Sequence, residues 1–301
     1  MDIRVLEYFL TVAREESITA AAESLHMTQP PLSRQLKELE QELGATLFIR
    51  GSRRITLTEE GVLLRKRAAE IIALAEKTKV DIATTEGHLT GTVSIGVAET
   101  ESLRFIVRSM KTLRKRAPEV HFTLYSGNAE AVSDRLDKGL LDFGIFVEPA
   151  DISRYEFITL PRRDTWGLLM RKDDALAARE AVTMEDLRSR PLLLTSQQLA
   201  DNEFAGWAEE RFDQLHIIAR YNLPFSAALM VEEGLGCALM LDRIISTGPE
   251  SLLTFRPLAP ALTVGIRMGW KKYQTFSRAA AAFLRQVQKD LKEDKVSSGE
   301  M

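Results

Sequence analysis

Between residues 17 and 43 the chain must end one helix and begin another across "HMTQ", His26 to Gln29, and no other feature constrains the fold as much. Ser17 is placed to cap a short helix, "ITAAAESL", whose alanines let a neighbour approach closely. Thr28 is placed to cap the next. Pro30 and Pro31 then fall in its first turn, where a missing N–H removes no intrahelical bond. Leu32, Leu36, Leu39 and Leu43 recur at spacings of four, three and four. At about 100° per residue they share a stripe of roughly 60°. Upstream, Ile3, Leu6, Phe9, Leu10 and Ala13 mark one face of a first helix. Together these segments predict a helix-turn-helix.

Opposite the leucine stripe, Pro30, Arg34 and Lys37 point outward, with Gln29 and Ser33 at the edge near the helix start. Reading a DNA major groove requires such residues: Gln pairs bidentately with adenine, Arg with guanine, and Ser and Lys reach phosphates or base edges. A solvated helix face carries similar residues, so the following segment decides between the two. "LFIRGSRRITLTEEG" reads as two short strands around a turn that holds Arg50, Arg53 and Arg54, a wing able to grip the backbone or the minor groove. Overall charge gives no help, since the chain carries a formal −3 and residues 1–60 hold seven Lys and Arg against ten Asp and Glu. Affinity must come from placed residues and from more than one copy of the chain.

The run "SITAAAESLHMTQPPLSRQLKELEQELGATLFIR", followed by "LTEEG", resembles the winged helix-turn-helix of LysR-type transcriptional regulators over about residues 3–61. The resemblance implies a bacterial regulator that binds double-stranded promoter DNA. It places Thr28, Gln29, Pro30, Ser33, Arg34 and Lys37 at the recognition helix and Arg50, Arg53 and Arg54 at the wing. It also implies RNA polymerase as a partner.

Three segments follow from the patterning: a winged helix-turn-helix over 1–58, a linker helix over 59–90 and an α/β region over 91–301. In the second, Leu64, Ala68, Ile71, Ala75, Thr78 and Ile82 alternate by four and three, the seam of a two-stranded coiled coil. A helix of about 30 residues extends ~40 Å, too long for a small winged domain to cover. Dimerisation is the expectation, and the segment is similar to the LysR linker helix, which pairs two DNA-binding domains. The assembly expected is a homodimer or, from two such dimers, a homotetramer.

From "TVSIGVA" onward, short β-rich runs alternate with amphipathic helices, so the fold class is α/β. "TWGLLMRKD" and "LTVGIRMGW" are extended runs able to cross between two halves. The arrangement resembles the LysR effector domain, two α/β subdomains of periplasmic-binding-protein type, here about 91–161 with 269–296, and about 162–268. Ligands in such sheets bind beyond the carboxyl ends of strands. That rule nominates Glu99, Thr100, Glu101, Ser102, Ser126 and Phe146 on one side and Thr195, Ser196, Asn222 and Phe225 on the other. Two carboxylates in the first loop disfavour an anion, so a cationic or neutral polar small-molecule effector is expected.

No cofactor, metal or catalytic residue is expected. His26, His88, His121 and His216 lack metal-ligand spacing, and Cys237, within an apolar run, reads as an inert core thiol. No Ser-His-Asp, HExxH, Walker or GxGxxG context occurs. No apolar run reaches membrane-spanning length and "MDIRVLEYFL" has no secretory pattern, so the expected location is the cytoplasm, away from membranes. Two other readings stay open: a metabolite sensor without DNA binding, and an α/β enzyme fused to a winged helix.

Overall fold

The computed structural model describes residues 1–51, 54–82, 89–196, 206–208 and 212–298. The chain divides into two compact units between residues 83 and 84.

In the first unit, α1 (Ile3–Glu15) starts where the Asp2 carboxylate accepts the Arg4 N–H at 2.8 Å and stops at Glu16, whose φ is 50°. Its buried face is Val5, Leu6, Phe9 and Val12, whereas Ile3 is exposed and Leu10 and Ala13 are half-buried. The expected face is therefore rotated, because α1 packs against α2, α3 and α4 at once. In α2 (Ile18–Ser24), Ser17 Oγ accepts the Ala20 N–H at 3.3 Å, and Ala21 and Ala22 are buried. Helix α3 (Gln29–Leu43) has Thr28 at its N-cap position, but the Thr28 side chain makes no capping bond, contrary to expectation. Gly44, at φ 64°, ends the helix. Leu32, Leu36 and Leu39 are buried; Leu43, in the last turn, is 42% exposed and falls outside the core.

A hairpin follows, β1 (Phe48–Arg50) antiparallel to β2 (Ile55–Leu57). Glu40 Oε1 docks it on α3 by accepting the Leu47 and Phe48 N–H groups at 2.7 and 3.3 Å. Helix α4 (Glu59–Ile82) begins where Thr58 Oγ1 accepts the Gly61 N–H at 2.9 Å. A Cβ at Gly61 would strike the Leu47 carbonyl, so the close approach of hairpin and helix needs glycine there.

In the second unit, ten of the described strands form one sheet in two halves. The first half contains β3 (Gly91–Val97), α5 (Leu103–Arg116), β4 (Val120–Ser126), α6 (Ala129–Asp137) and β5 (Phe143–Val147), with β3 parallel to both β4 and β5. Strand β6 (Tyr155–Arg171) then runs through both halves. The second half holds β7 (Val182–Thr183), α7 (Met184–Arg188), β8 (Leu192–Thr195), β9 (Ile217–Tyr221) and α8 (Pro224–Glu232), then β10 (Cys237–Leu241) and β11 (Leu253–Ala259). The chain returns through β12 (Thr263–Lys271) to α9 (Arg278–Ser298), which packs on α5 through a 2.6 Å bond from Ser109 Oγ to Asp290.

Strand order is β4-β3-β5-β12-β6-β10-β8-β9, with β11 also on β6. The inner strands β5 and β10 are buried on both faces, as a sheet covered on both sides requires, and the edge strands β4 and β9 carry exposed positions. The two crossings lie side by side: Thr165 pairs with Thr263, and the Trp166 N–H reaches the Leu262 carbonyl at 2.9 Å. Strand β12 thus joins the first half's sheet from Thr263 onward, ahead of the 269 expected from sequence.

Candidate functional site

The two units each present one candidate site. On α3, Thr28, Gln29, Pro30, Arg34 and Lys37 are exposed and Ser33 is half-buried, while the leucines one helix face away fill the core. The Arg34 side chain is 80% exposed and its Nε donates to Glu38 Oε1 at 2.9 Å. An exposed pair of this kind is worth about 0.3–0.5 kcal/mol and yields to any stronger anion. The Gln29 side-chain oxygen accepts the Thr19 hydroxyl at 3.4 Å, a long bond that leaves the amide available. On the wing, Arg50 lies in β1 and the Gly51 N–H bonds the Arg54 carbonyl at 3.1 Å. Arg54 is exposed and 3.5 Å from Glu16, and Arg53 lies outside the described residues. The face therefore offers an amide, a guanidinium and an ammonium on one helix.

The linker seam is corrected by the packing. Leu64, Ala68 and Ile72 belong to the core of the first unit, so Leu64 and Ala68 face their own winged domain. Ala75 is half-buried, and Ile71, Thr78 and Ile82 are exposed. The residues that share the outer side with Ile71 and Thr78 are Leu63 and Leu74, which are 60% and 42% exposed. At about 100° per residue, Leu63, Ile71, Leu74 and Thr78 lie within roughly 80° of arc, an exposed side that also carries Arg67 and in which the alternation picks out Ile71 and Thr78 but not Leu63 and Leu74.

In the second unit a cleft of about 670 Å³ opens at the carboxyl ends of the strands. Ala98, Glu99, Gly127, Asn128 and Val147 line its first side, and Thr195, Ser196 and the segment Tyr221–Pro224 line its second. Trp166 from β6 and Met240, Leu241 and Ile244 complete it. Ser126 Oγ donates to Glu99 Oε1 at 2.8 Å, which orients the one carboxylate among the described lining residues.

The structure brings together Glu99, Ser126, Thr195, Ser196 and Asn222 of the nominated residues and places the others elsewhere. Thr100 and Ser102 are buried beneath the loop, and both hydroxyls donate to Asp164, Ser102 Oγ at 2.6 Å. A buried carboxylate needs such donors, and they draw the two side chains away from the cleft. Glu101 pairs with Arg104 at 2.6 Å beside a different, smaller pocket. The Arg104 hydrogen bond holds its carboxyl below the usual range. Phe146 is 1% exposed and stacks on Tyr155 in a core cluster with Val132 and Leu136. Phe225 is 70% exposed and does not line the cleft.

Sequence reasoning missed Asp164, Trp166 and Asn128. Asp164 follows the charged "PRR" and left no sign in the sequence; the Asn128 cap, which accepts the Ala131 N–H at 2.9 Å, was legible in "SGNAE". Burial pushes the Tyr221 phenol far up, and its O–H donates to the Leu239 carbonyl at 2.7 Å. Burial, then Asp174, raise the Cys237 thiol to about 11, as an inert core thiol requires.

Comparison with known proteins finds a family match for each unit. Residues 3–62 match the bacterial regulatory helix-turn-helix protein, lysR family, and residues 86–292 match the LysR substrate binding domain. The chain is 28% identical to the uncharacterized HTH-type transcriptional regulator YvbU of Bacillus subtilis (strain 168) over 94% of this chain and 97% of that protein. It is 33% identical to the HTH-type transcriptional regulator BsdA of the same organism, over 64% of this chain and 67% of that one. The fold is similar to full-length CbnR crystallised with its target DNA, at a TM-score of 0.77 and 20% identity over 96% of this chain and all of that chain. The two relatives are HTH-type transcriptional regulators, and the chain belongs to the LysR family of bacterial helix-turn-helix transcriptional regulators.

Proposed function

We propose that this regulator reads its operator with the exposed face of α3 and grips the flanking backbone with the wing. The observation that carries the reading is the separation on one helix of buried Leu32, Leu36 and Leu39 from exposed Gln29, Arg34 and Lys37. Gln29 and Arg34 meet base edges, Thr28, Ser33 and Lys37 meet phosphates or bases, Pro30 fixes the helix start, and Arg50, Arg53 and Arg54 serve the wing.

With ten acids against seven bases in residues 1–60, a single copy binds weakly, and pairing along the exposed stripe of α4 joins two half-sites. Homodimers, and tetramers built from them, act on promoter DNA in the cytoplasm, where RNA polymerase is the partner. A small molecule in the cleft, contacted by Glu99, Ser126, Thr195, Ser196 and Asn222, shifts the equilibrium between conformations without any cofactor.

The test is fluorescence anisotropy on the DNA upstream of this chain's own gene, compared with scrambled duplex, across a salt series. Arg34→Ala should lower specific binding by about 1–3 kcal/mol and relax base preference. Equal binding of both duplexes by the wild-type chain would defeat the reading.

A further inference from the structure

The one charge that the described lining of the cleft carries is negative. Among its described lining residues there is no Lys, Arg or His, and Glu99 brings a carboxylate. Three backbone N–H groups at the strand ends beside the cleft are already bonded. Ala98 N–H reaches the Ile145 carbonyl at 3.2 Å, Gly127 N–H the Val97 carbonyl at 3.1 Å and Ser196 N–H the Tyr221 carbonyl at 2.9 Å. Helix α8 opens with Pro224, which has no N–H, and Asn128 takes the Ala131 N–H of α6. The α5 end is closed as well: the Ser102 N–H goes to Thr100 Oγ1 at 3.1 Å, and both hydroxyls go to buried Asp164. Arg243, next to the cleft in sequence, is held by Asp242 at 2.9 Å and does not line it.

Against this stands Glu99, with one oxygen bonded by Ser126 and acceptor capacity to spare. Beside the polar Asn128, Thr195, Ser196 and Asn222, the wall has an apolar part made by Trp166, Val147, Met240, Leu241 and Ile244. The geometry points to an effector with a protonated amine at one end and a flat apolar body at the other. The ammonium meets Glu99 and the body lies among Trp166 and its aliphatic neighbours. This inference rests on the reading of the cleft as the effector site.

The experiment is a thermal-shift and calorimetric titration of the full chain with three matched probes: phenethylamine, 2-phenylethanol and phenylacetate. The amine should raise the melting temperature and bind about tenfold tighter than the alcohol, with the carboxylate weakest. Glu99→Gln should remove the preference for the amine, Glu99→Lys should transfer it to the carboxylate, and Glu119→Gln, at the far end of β4, should change nothing. Carboxylate binding equal to or tighter than amine binding in the wild type overturns the proposal. So does an amine preference that survives Glu99→Gln, or the absence of any shift with the amine. Ser196→Trp, which fills the cleft mouth, separates the two readings. Amine binding that persists in it removes the cleft as the site, whereas carboxylate binding that it abolishes leaves the cleft reading intact and refutes the amine alone.

Discussion

Thr100→Val keeps the shape of the side chain and deletes one hydroxyl. That hydroxyl donates to Asp164 and accepts the Ser102 N–H at 3.1 Å. Asp164 is 1% and Ser102 3% exposed, so neither finds water in its place. A hydrogen bond to a charged group contributes about 1.5–3 kcal/mol, and a buried N–H left without an acceptor costs about 1–3 kcal/mol. Both bonds run through one oxygen and do not add, so the expected loss is about 2–4 kcal/mol. For a unit of some 200 residues this lowers the midpoint by roughly 5–15 °C. All three tryptophans, Trp166, Trp207 and Trp270, lie beyond residue 83, so intrinsic fluorescence follows the second unit alone. Thr100→Ser restores the hydroxyl and should recover most of the loss. The effector affinity of the folded Thr100→Val protein should stay within about twofold of wild type, since the hydroxyl faces Asp164 and not the ligand. An unchanged melting curve with lost effector affinity would put the hydroxyl in the cleft and refute the reasoning.

Glu38→Gln removes the partner that holds Arg34 at 2.9 Å and a negative charge from the DNA-facing helix, so operator affinity should rise about two- to fivefold in anisotropy titrations at low salt. Leu63→Lys with Leu74→Lys alters only exposed positions of α4. By sedimentation the dimer should weaken by about tenfold or more while circular dichroism stays native, whereas Ala68→Lys, with a fully buried side chain, should unfold the winged domain. Cys237, with its thiol raised to about 11, should react with iodoacetamide at pH 8 about 100-fold more slowly than a free thiol until the protein is unfolded. The same shift works on stability with a definite sign. A thiol raised in the folded state leaves stability intact below its unfolded value near 9 and erodes it as pH climbs toward 11, so Cys237→Ala should flatten the alkaline limb of a melting-temperature profile.

Periodicity recorded the faces of the helices but not which neighbour would cover them. The leucines of α3 have one core to face, and three of the four sit where the pattern put them. In helix α4 the four-three alternation from Leu64 to Ile82 keeps to one arc, but its first residues, Leu64 and Ala68, lie in the core of the winged domain while Ile71, Thr78 and Ile82 further along are exposed. The strand-end rule located the right loops for the same reason that it could not assign side chains. A loop after a strand points some residues into the cleft and others beneath it, and only the position of Asp164, 62 to 64 residues away in sequence, draws Thr100 and Ser102 under. Phe143–Val147 is buried on both faces, so no alternation distinguishes Val147, which lines the cleft, from Phe146, which stacks on Tyr155.

The Asp164 tie also limits how a ligand can act within the second unit. Asp164 sits on β6 at the crossing, and it clamps the loop that carries Glu99. One residue on, the Thr165 N–H is bonded to Asp242 at 2.9 Å and the Asp242 N–H returns to the Thr165 carbonyl at 2.8 Å, which clamps the second half to the same point. Trp166, next again, lines the cleft. Three consecutive residues therefore hold the first half, the second half and the ligand wall. These ties join the cleft wall to both halves of the sheet, and a ligand shifts the balance between two arrangements of the halves only as far as it binds them differently. Asp242→Asn, which weakens the second clamp while leaving the cleft wall in place, should loosen that coupling. Effector affinity should hold within about twofold in calorimetry while the effector-induced change in DNA binding shrinks, and an undiminished response would mean that the halves communicate by another path.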